Sequence, residues 1–390
     1  MDAYIVKGYR SAVGKAGKGG FAAYRSDDLA VEVIKKLLAD TPELDPTLVD
    51  DVIVGCANPE GEQGLQIGRQ ISMRALGKEV PGVTVNRYCA SGLEAIAIAT
   101  AKIRAGMGHI FLAGGAESMS SIPMTGYKLA PSYQVAADTP DYLVSMGLTA
   151  EAVARKYNIS REAADEFAYQ SHKKAAAAID AGYFTDEIVP VTVPDVVVKN
   201  GKRVTSSHEV AMDEGVRRTT TVEGLAALRP VFANGGVVTA GNASQTSDGA
   251  AFTLVMSETM VKQLGLEPVA RLASCSVAGV DPLYMGIGPC AAIPKALTQA
   301  GLSLNDIDLV ELNEAFAAQA LAVIAVAGLN PAAVNVNGGA IALGHPLGCT
   351  GAKLSIQLIN EMRRRNQRYG IVTACVGGGQ GIAGVIERLK

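Results

Sequence analysis

Residues 83–105 read VTVNRYCASGLEAIAIATAKIRA, a short β-branched run that leads through Cys89 into a long apolar segment. The first three residues favour a strand, and the segment from Gly92 to Ala105 favours a helix that is apolar on nearly every side. Such a helix is expected to be buried. A sulfur between this strand and this helix would lie beside unpaired amide groups, which predicts that Cys89 favours the thiolate. The alternative is that Cys89 is a small buried side chain without a function.

Outward from this stretch, strand patterns alternate with helix patterns. The runs 52–54 and 110–112 are rich in β-branched and apolar residues, whereas Leu29, Val33 and Leu37 recur at helical spacing. Strands that alternate with helices indicate an α/β fold.

The pattern changes between about residues 120 and 240, where prolines and polar residues interrupt it. A charged, alanine-rich helix is predicted within 160–181, with Ser160 as its N-cap. Strand patterns return at 251–256 and continue to the end of the chain. We therefore predict an N-terminal unit split into 1–119 and 241–266, an inserted domain at 120–240 and a C-terminal unit at 267–390.

Composition limits the function classes. The chain has 390 residues, a formal net charge of -3 and a pI of about 5.9, so no overall charge attracts nucleic acid or acidic lipid. Its six cysteines contain no CxxC pair, which argues against a disulfide framework or a zinc site. The start lacks the pattern of a secretory signal, and no apolar run has the roughly 20 residues that span a bilayer. We expect a cytoplasmic location.

Three further residues stand where chemistry is plausible, each with a simpler alternative. His345 lies in a glycine- and proline-rich loop, although a lone loop histidine is usually just solvated. Cys375 ends an apolar run and precedes Gly377–Gly379, whose amides could bind an oxyanion or merely form a turn. Asn313 follows the strand pattern 309–311, where its amide could hold a water or cap a helix.

Four blocks in this order, NRYCASG (86–92), NEAF (313–316), GHP (344–346) and CVGGG (375–379), resemble the thiolase family. The resemblance extends over essentially the whole chain. It implies a five-layered αβαβα core of two similar halves, each with a mixed five-stranded sheet. It also implies an inserted loop domain that covers a coenzyme A site.

The resemblance also implies catalytic roles. Cys89 would accept an acyl group, His345 would take the proton of its sulfur, and Cys375 would be the general acid and base. His345 and a water held by Asn313 would bind the thioester enolate. The amides of Cys89 and Gly377 would form a second oxyanion hole for the tetrahedral intermediate.

Contacts with coenzyme A follow from matching family positions, which are Ser244, Arg217, Ala315, Phe316, Met146 and Met285. Coenzyme A and acyl-CoA would be substrates, with no tightly bound cofactor and no metal. Arg217 could equally belong to a solvated pair with Arg218. The short connection at 120–142 favours a homodimer over a tetramer, and a β-oxidation enzyme is a further expected partner.

The stretches GNASQTSD (241–248) and ALGHPLGCTG (342–351) resemble degradative 3-ketoacyl-CoA thiolases more than biosynthetic acetoacetyl-CoA enzymes. Ser145 stands where the biosynthetic type often has a histidine, which argues against the acetyl-CoA C-acetyltransferase alternative without excluding it. A decarboxylating ketoacyl synthase would lack the cysteine at 375, and the lipid-carrier-like thiolases usually replace the block at 313–316. A non-catalytic acyl-CoA binding protein is the rival from another class.

Overall fold

The computed structural model describes residues 2–389 of the chain, apart from the side chain of Lys199. The predicted strand at 83–85 and the apolar helix after Cys89 are both present. The elements that precede the inserted region are β1 (Ala3–Ser11), β2 (Gly14–Lys15), α1 (Ser26–Ala39), β3 (Asp51–Gly55), α2 (Ile67–Leu76), β4 (Gly82–Val85), α3 (Ser91–Arg104) and β5 (Ile110–Ser118).

The inserted region separates β5 from the strand that completes the N-terminal half. Its elements are α4 (Tyr133–Asp138), α5 (Met146–Lys156), α6 (Arg161–Asp180), β6 (Ile188–Val189), β7 (Val191–Lys199), β8 (Lys202–Val210) and α7 (Val222–Ala226). The predicted N-cap of α6 is confirmed, because the Ser160 hydroxyl accepts a hydrogen bond from the backbone N–H of Ala163. The predicted domain limits at 120 and 240 stay a prediction.

The chain then returns to the N-terminal half and builds the C-terminal one. These elements are β9 (Ser247–Ser257), α8 (Glu258–Gln263), β10 (Ala270–Gly279), α9 (Gly288–Ala300), β11 (Leu309–Leu312), α10 (Ala317–Ala327), α11 (Ala340–Leu343), α12 (Leu347–Arg365), β12 (Tyr369–Val376) and β13 (Gln380–Arg388).

The two halves share one topology. The N-terminal sheet has the order β4-β3-β5-β9-β1, and the C-terminal sheet has the corresponding order β11-β12-β13-β10. In both sheets the first strands are parallel and the last ones antiparallel. The predicted fifth C-terminal strand is reduced to a single parallel bridge between Val310 and Val334. The sheets meet through one residue pair, Ile5 and Ala270.

Three apolar cores separate the layers. One lies between the two sheets around α3 and α12, the second covers the N-terminal sheet with α1 and α2, and the third covers the C-terminal sheet with α9 and α10. The five-layered α/β architecture is confirmed. Nowhere in residues 2–389 is there a helix with the length and apolar character needed to cross a membrane.

Candidate active site

The first turns of α3 and α12 are in close contact, and this contact locates the site. A Cβ atom on Gly92 would lie 2.7 Å from the backbone nitrogen of Ala352, so the helices can approach this closely only with glycine there. Cys89 lies in the 3-10 turn Tyr88–Ala90 just before α3, and His345 lies just before α12. The turn with Cys89 also contacts α12. Both predicted residues are therefore at one place between the two halves.

The sulfur of Cys89 is met by two backbone N–H groups, that of Cys89 itself and that of Gly377. The turn that carries it is held by Asn86, whose side-chain oxygen accepts a 2.8 Å hydrogen bond from the N–H of Tyr88. Tyr88 has a φ of 44°, a conformation that non-glycine residues rarely adopt. The pair of amides predicted as an oxyanion hole is thus present beside the sulfur.

The expectation that Cys89 favours the thiolate is wrong. Burial raises the pKa of the Cys89 thiol to about 12, and the negative charge of Glu117 acts in the same direction. The N–H groups of Cys89 and Gly377 oppose this rise without overcoming it. Desolvation outweighs the helix N-terminus here, because the charged form loses more in water contact than it gains from two donors. Cys89 therefore needs a base.

His345 is buried and neutral. Its Nδ1 lies 2.6 Å from the Thr350 hydroxyl oxygen, and that hydroxyl donates its proton to the carbonyl of Pro346 at 2.9 Å. The hydroxyl oxygen must then accept from an N–H at Nδ1, which leaves Nε2 unprotonated. Burial lowers the pKa of His345 to about 3. The imidazole consequently presents a lone pair at Nε2, as a general base requires.

Asn313 lies on the Nε2 side of this ring. Its side-chain nitrogen is 3.3 Å from Nε2, and its backbone N–H donates to the carbonyl of Thr373 at 2.9 Å. Its side-chain oxygen is buried and has no hydrogen-bond partner among the described residues. Buried polar atoms are rarely left unpaired. The amide oxygen is therefore free to accept a hydrogen bond from a water or a ligand.

Cys375 is the last but one residue of β12 and is buried beside Cys89. Burial raises the pKa of the Cys375 thiol above the ordinary value, and the neighbouring Cys89 acts in the same direction. An apolar cluster surrounds Cys375, with four of the predicted substrate contacts among its members: Met146, Met285, Ala315 and Phe316. The structure thus places an apolar lining beside the second sulfur.

The remaining predicted contacts lie further out. Ser244 is half-buried, and its N–H donates to the carbonyl of Ala315 at 2.9 Å, which joins it to the apolar cluster. Arg217 is exposed, and nothing in the structure brings it to Cys375. Its backbone N–H donates to Nδ1 of His172 at 3.2 Å.

The sequence interpretation missed several residues. His172, which the sequence interpretation did not single out, is 3% exposed, and burial lowers its pKa to about 4. Thr350 and Glu117 were not singled out, although one orients His345 and the other lies close enough to Cys89 to act on its pKa. The acidic residue within the otherwise apolar strand pattern 110–118 was the available signal for Glu117.

Family models identify both halves. The model for the thiolase N-terminal domain matches residues 3–259, and that for the thiolase C-terminal domain matches residues 266–388. The chain belongs to the thiolase family. It is accordingly a thiolase-family acyltransferase.

Relatives match over almost the full length. The 3-ketoacyl-CoA thiolase of Bacillus subtilis (strain 168) is 52% identical to this chain, and the match covers 99% of each protein. The 3-oxoadipyl-CoA/3-oxo-5,6-dehydrosuberyl-CoA thiolase of Escherichia coli (strain K12) is 44% identical with 100% of each covered. The crystal structure of the Bacillus anthracis acetyl-CoA acetyltransferase matches with a TM-score of 0.87 and 40% identity, covering 100% of this chain and 99% of that one.

Proposed function

We propose that this thiolase is a 3-ketoacyl-CoA thiolase, which uses coenzyme A to cleave 3-ketoacyl-CoA into acetyl-CoA and a shortened acyl-CoA. The observation that carries the proposal is that Cys89 lies beside Cys375, while the turn that carries Cys89 contacts α12, the helix that follows the neutral His345. The names of relatives at 44–52% identity favour this activity.

The first half of the reaction follows from the protonation states. Nε2 of His345 takes the proton of the Cys89 thiol, and the sulfur attacks the ketone carbon of the substrate. The N–H groups of Cys89 and Gly377 hold the resulting oxyanion. The C2–C3 bond then breaks, leaving an acyl group on Cys89 and an electron pair on C2 as the enolate of acetyl-CoA.

The enolate is stabilised by groups that the first step has prepared. Nε2 of His345 now carries a proton and donates a hydrogen bond to the enolate oxygen, together with a water held by Asn313. The thiol of Cys375 protonates C2, and acetyl-CoA leaves. A buried imidazolium is costly, so its proton is most useful while the enolate charge is present.

The second half regenerates the enzyme. The Cys375 thiolate takes the proton of an incoming coenzyme A thiol, and the coenzyme A sulfur attacks the acyl group on Cys89. Cys89 leaves as a thiolate and recovers its proton from His345. Because a cysteine thioester is close in energy to the coenzyme A thioester, the transfer is reversible.

A second candidate is the acetyl-CoA C-acetyltransferase activity, which joins two acetyl groups. The match with the Bacillus anthracis acetyl-CoA acetyltransferase over the whole chain favours it. The same residues would serve both activities, with Cys375 removing a proton from the acetyl methyl group in the synthetic direction. The two differ in the acyl length that the apolar cluster around Cys375 accepts.

The cellular setting follows from the proposed activity. We place the enzyme in fatty acid β-oxidation in the cytoplasm, as a homodimer that receives its substrate from a dehydrogenase. Its partners are coenzyme A and acyl-CoA, with no resident cofactor.

Thiolysis over a series of 3-ketoacyl-CoA chain lengths tests this proposal. We expect turnover of acetoacetyl-CoA and of longer substrates, all lost in Cys89→Ser. Activity confined to acetoacetyl-CoA would favour the acetyltransferase. A protein that binds acyl-CoA without turnover and without an acyl adduct on Cys89 would refute both activities.

A further inference from the structure

Glu117 is a buried carboxylate on which five donors converge. It ends the apolar run of β5 and is 1% exposed. One oxygen accepts from the N–H of Ala57 at 2.7 Å and of Gly348 at 2.8 Å. The other accepts from the side chain of Gln63 at 2.7 Å, from the N–H of Asn58 at 3.2 Å, and from the Cys56 thiol at 3.8 Å.

From Glu117 a short path leads to Cys89. The carboxylate holds the N–H of Ala57, and the carbonyl of Ala57 accepts a 2.9 Å hydrogen bond from the side-chain amide of Asn86. The oxygen of the same amide accepts from the N–H of Tyr88. Two residues therefore connect Glu117 with the turn that carries the sulfur.

An equally short path leads to His345. The N–H of Gly348 lies in the first turn of α12, three residues after His345. A Cβ atom on Gly348 would lie 2.7 Å from the Glu117 carboxylate, so glycine is needed for this approach. Glu117 belongs to the N-terminal half and Gly348 to the C-terminal half. One side chain thus joins the loops that carry Cys89 and His345.

The surroundings of Glu117 suit an anion. All five contacts are donors, and a helix N-terminus contributes one of them. Burial nevertheless raises the pKa of the Glu117 carboxyl above its ordinary value. A carboxyl whose pKa is raised on folding lowers the free energy of unfolding at neutral pH, where it must ionise in the folded chain. The carboxylate therefore carries a burial cost, which the hydrogen bonds from its donors oppose.

We propose that Glu117 is a positioning residue for the acyl transfer, which fixes the Cys89 loop and the His345 loop relative to each other. The inference rests on the proposed function. Displacing a catalytic group by about 1 Å can cost about 100-fold in rate. A single acceptor shared by the two loops is suited to prevent such a displacement.

The decisive variant is Glu117→Gln. Whichever oxygen becomes the amide nitrogen, it faces backbone or side-chain N–H groups and loses its role as acceptor. We expect kcat for acetoacetyl-CoA thiolysis to fall about 100-fold while KM for coenzyme A stays nearly unchanged.

Glu361→Gln is the matched control. Glu361 is another buried carboxylate of the same region, bonded to Asn337 at 2.8 Å, but it lies about 20 Å from Gly348 along α12. The pKa of its carboxyl is lowered, with hydrogen bonds from Arg364 and Arg365 opposing burial, so its removal should lower Tm. The kcat of Glu361→Gln should remain that of the wild type.

Wild-type kcat in Glu117→Gln, or an equal fall in Glu361→Gln, would overturn the proposal. Should Glu117→Gln not fold, Glu117→Asp is measured instead, since its shorter side chain keeps the charge but cannot reach both loops. Wild-type kcat in that variant would overturn the proposal as well. A wild-type protein that never acquires an acetyl group on Cys89 would instead refute the proposed function.

Discussion

The side-chain nitrogen of Asn313 lies 3.3 Å from Nε2 of His345. The opposite ring nitrogen is held at 2.6 Å by the hydroxyl of Thr350. The imidazole is thus fixed from both sides, with Nδ1 held by Thr350 and Nε2 facing the side-chain nitrogen of Asn313. This arrangement allows one ring to act first as a base toward Cys89 and then as a donor toward an enolate.

Replacing Thr350 by valine should remove the group that sets this tautomer. The buried N–H at Nδ1 loses its acceptor, and the ring can then carry its proton on Nε2, where it no longer serves as a base. We expect kcat for thiolysis to fall at least about 100-fold. Thr350→Ser keeps the hydroxyl and should retain most of the activity. Equal kcat in the valine and serine variants would contradict the assignment.

Two substitutions at Gly377 separate the role of its N–H from the effect of an added side chain. A Cβ atom at this position would lie 3.6 Å from Met146 and 3.6 Å from Tyr88, an ordinary contact, so Gly377→Ala should fold and work. Gly377→Pro removes the N–H, and the strand conformation of Val376 suits the residue before a proline. We expect kcat to fall about 100-fold in the proline variant. The oxyanion role would be wrong if both variants lost activity equally.

Alkylation of Cys89 should report the raised pKa of its thiol, about 12. Because the thiolate is the reactive form, the rate of labelling with iodoacetamide should keep rising through the pH range in which an ordinary thiol, with a pKa of about 8.5, has levelled off. Mass spectrometry of the Cys89 peptide measures this rate, with Cys89→Ser as the control. A plateau at the ordinary thiol pKa would contradict the burial argument.

His172 should make the protein less stable in mild acid. Its pKa is lowered to about 4. Between pH about 6.5 and 4, His172 is therefore protonated in the unfolded chain but not in the folded chain. The contribution of neutral His172 to the free energy of unfolding is fully present above this range and is lost as the pH falls through it. In His172→Asn this contribution is absent, while the side-chain oxygen can still accept from the N–H of Arg217.

The measurement is the Tm of wild type and His172→Asn at several pH values. The Tm of the wild type minus that of the variant should decrease as the pH falls from about 7 to about 5. Parallel Tm curves for the two proteins would show that His172 does not titrate as its burial requires.

Local patterns predicted the elements that carry the site. The β-branched run before Cys89 and the apolar segment after it became β4 and α3, and the serine at 160 became the N-cap of α6. Such features depend on residues close together in the chain. The resemblance to the thiolase family supplied the five layers, which no local pattern specifies.

What the sequence interpretation missed depends on contacts between distant residues. Burial of the Cys89 sulfur outweighed the expected effect of its helix N-terminus. The burial of His172 comes from the packing of α6 on the core, although its spacing along the helix with Ala168 and Ala175 hinted at a buried face. Glu117 meets Gly348 across 231 positions of the chain, and only the fold reveals that contact.

The most direct test of the account separates the roles of the two cysteines in one variant. Cys375→Ser is incubated with acetyl-CoA in D₂O, and mass spectrometry follows both the Cys89 peptide and the methyl group of acetyl-CoA. We predict that Cys89 still acquires an acetyl group, while deuterium no longer enters the methyl group as it does with the wild type. Continued deuterium entry in Cys375→Ser would contradict the acid–base role proposed for Cys375. Acetylation that survives in Cys89→Ser would contradict the acyl-acceptor role proposed for Cys89.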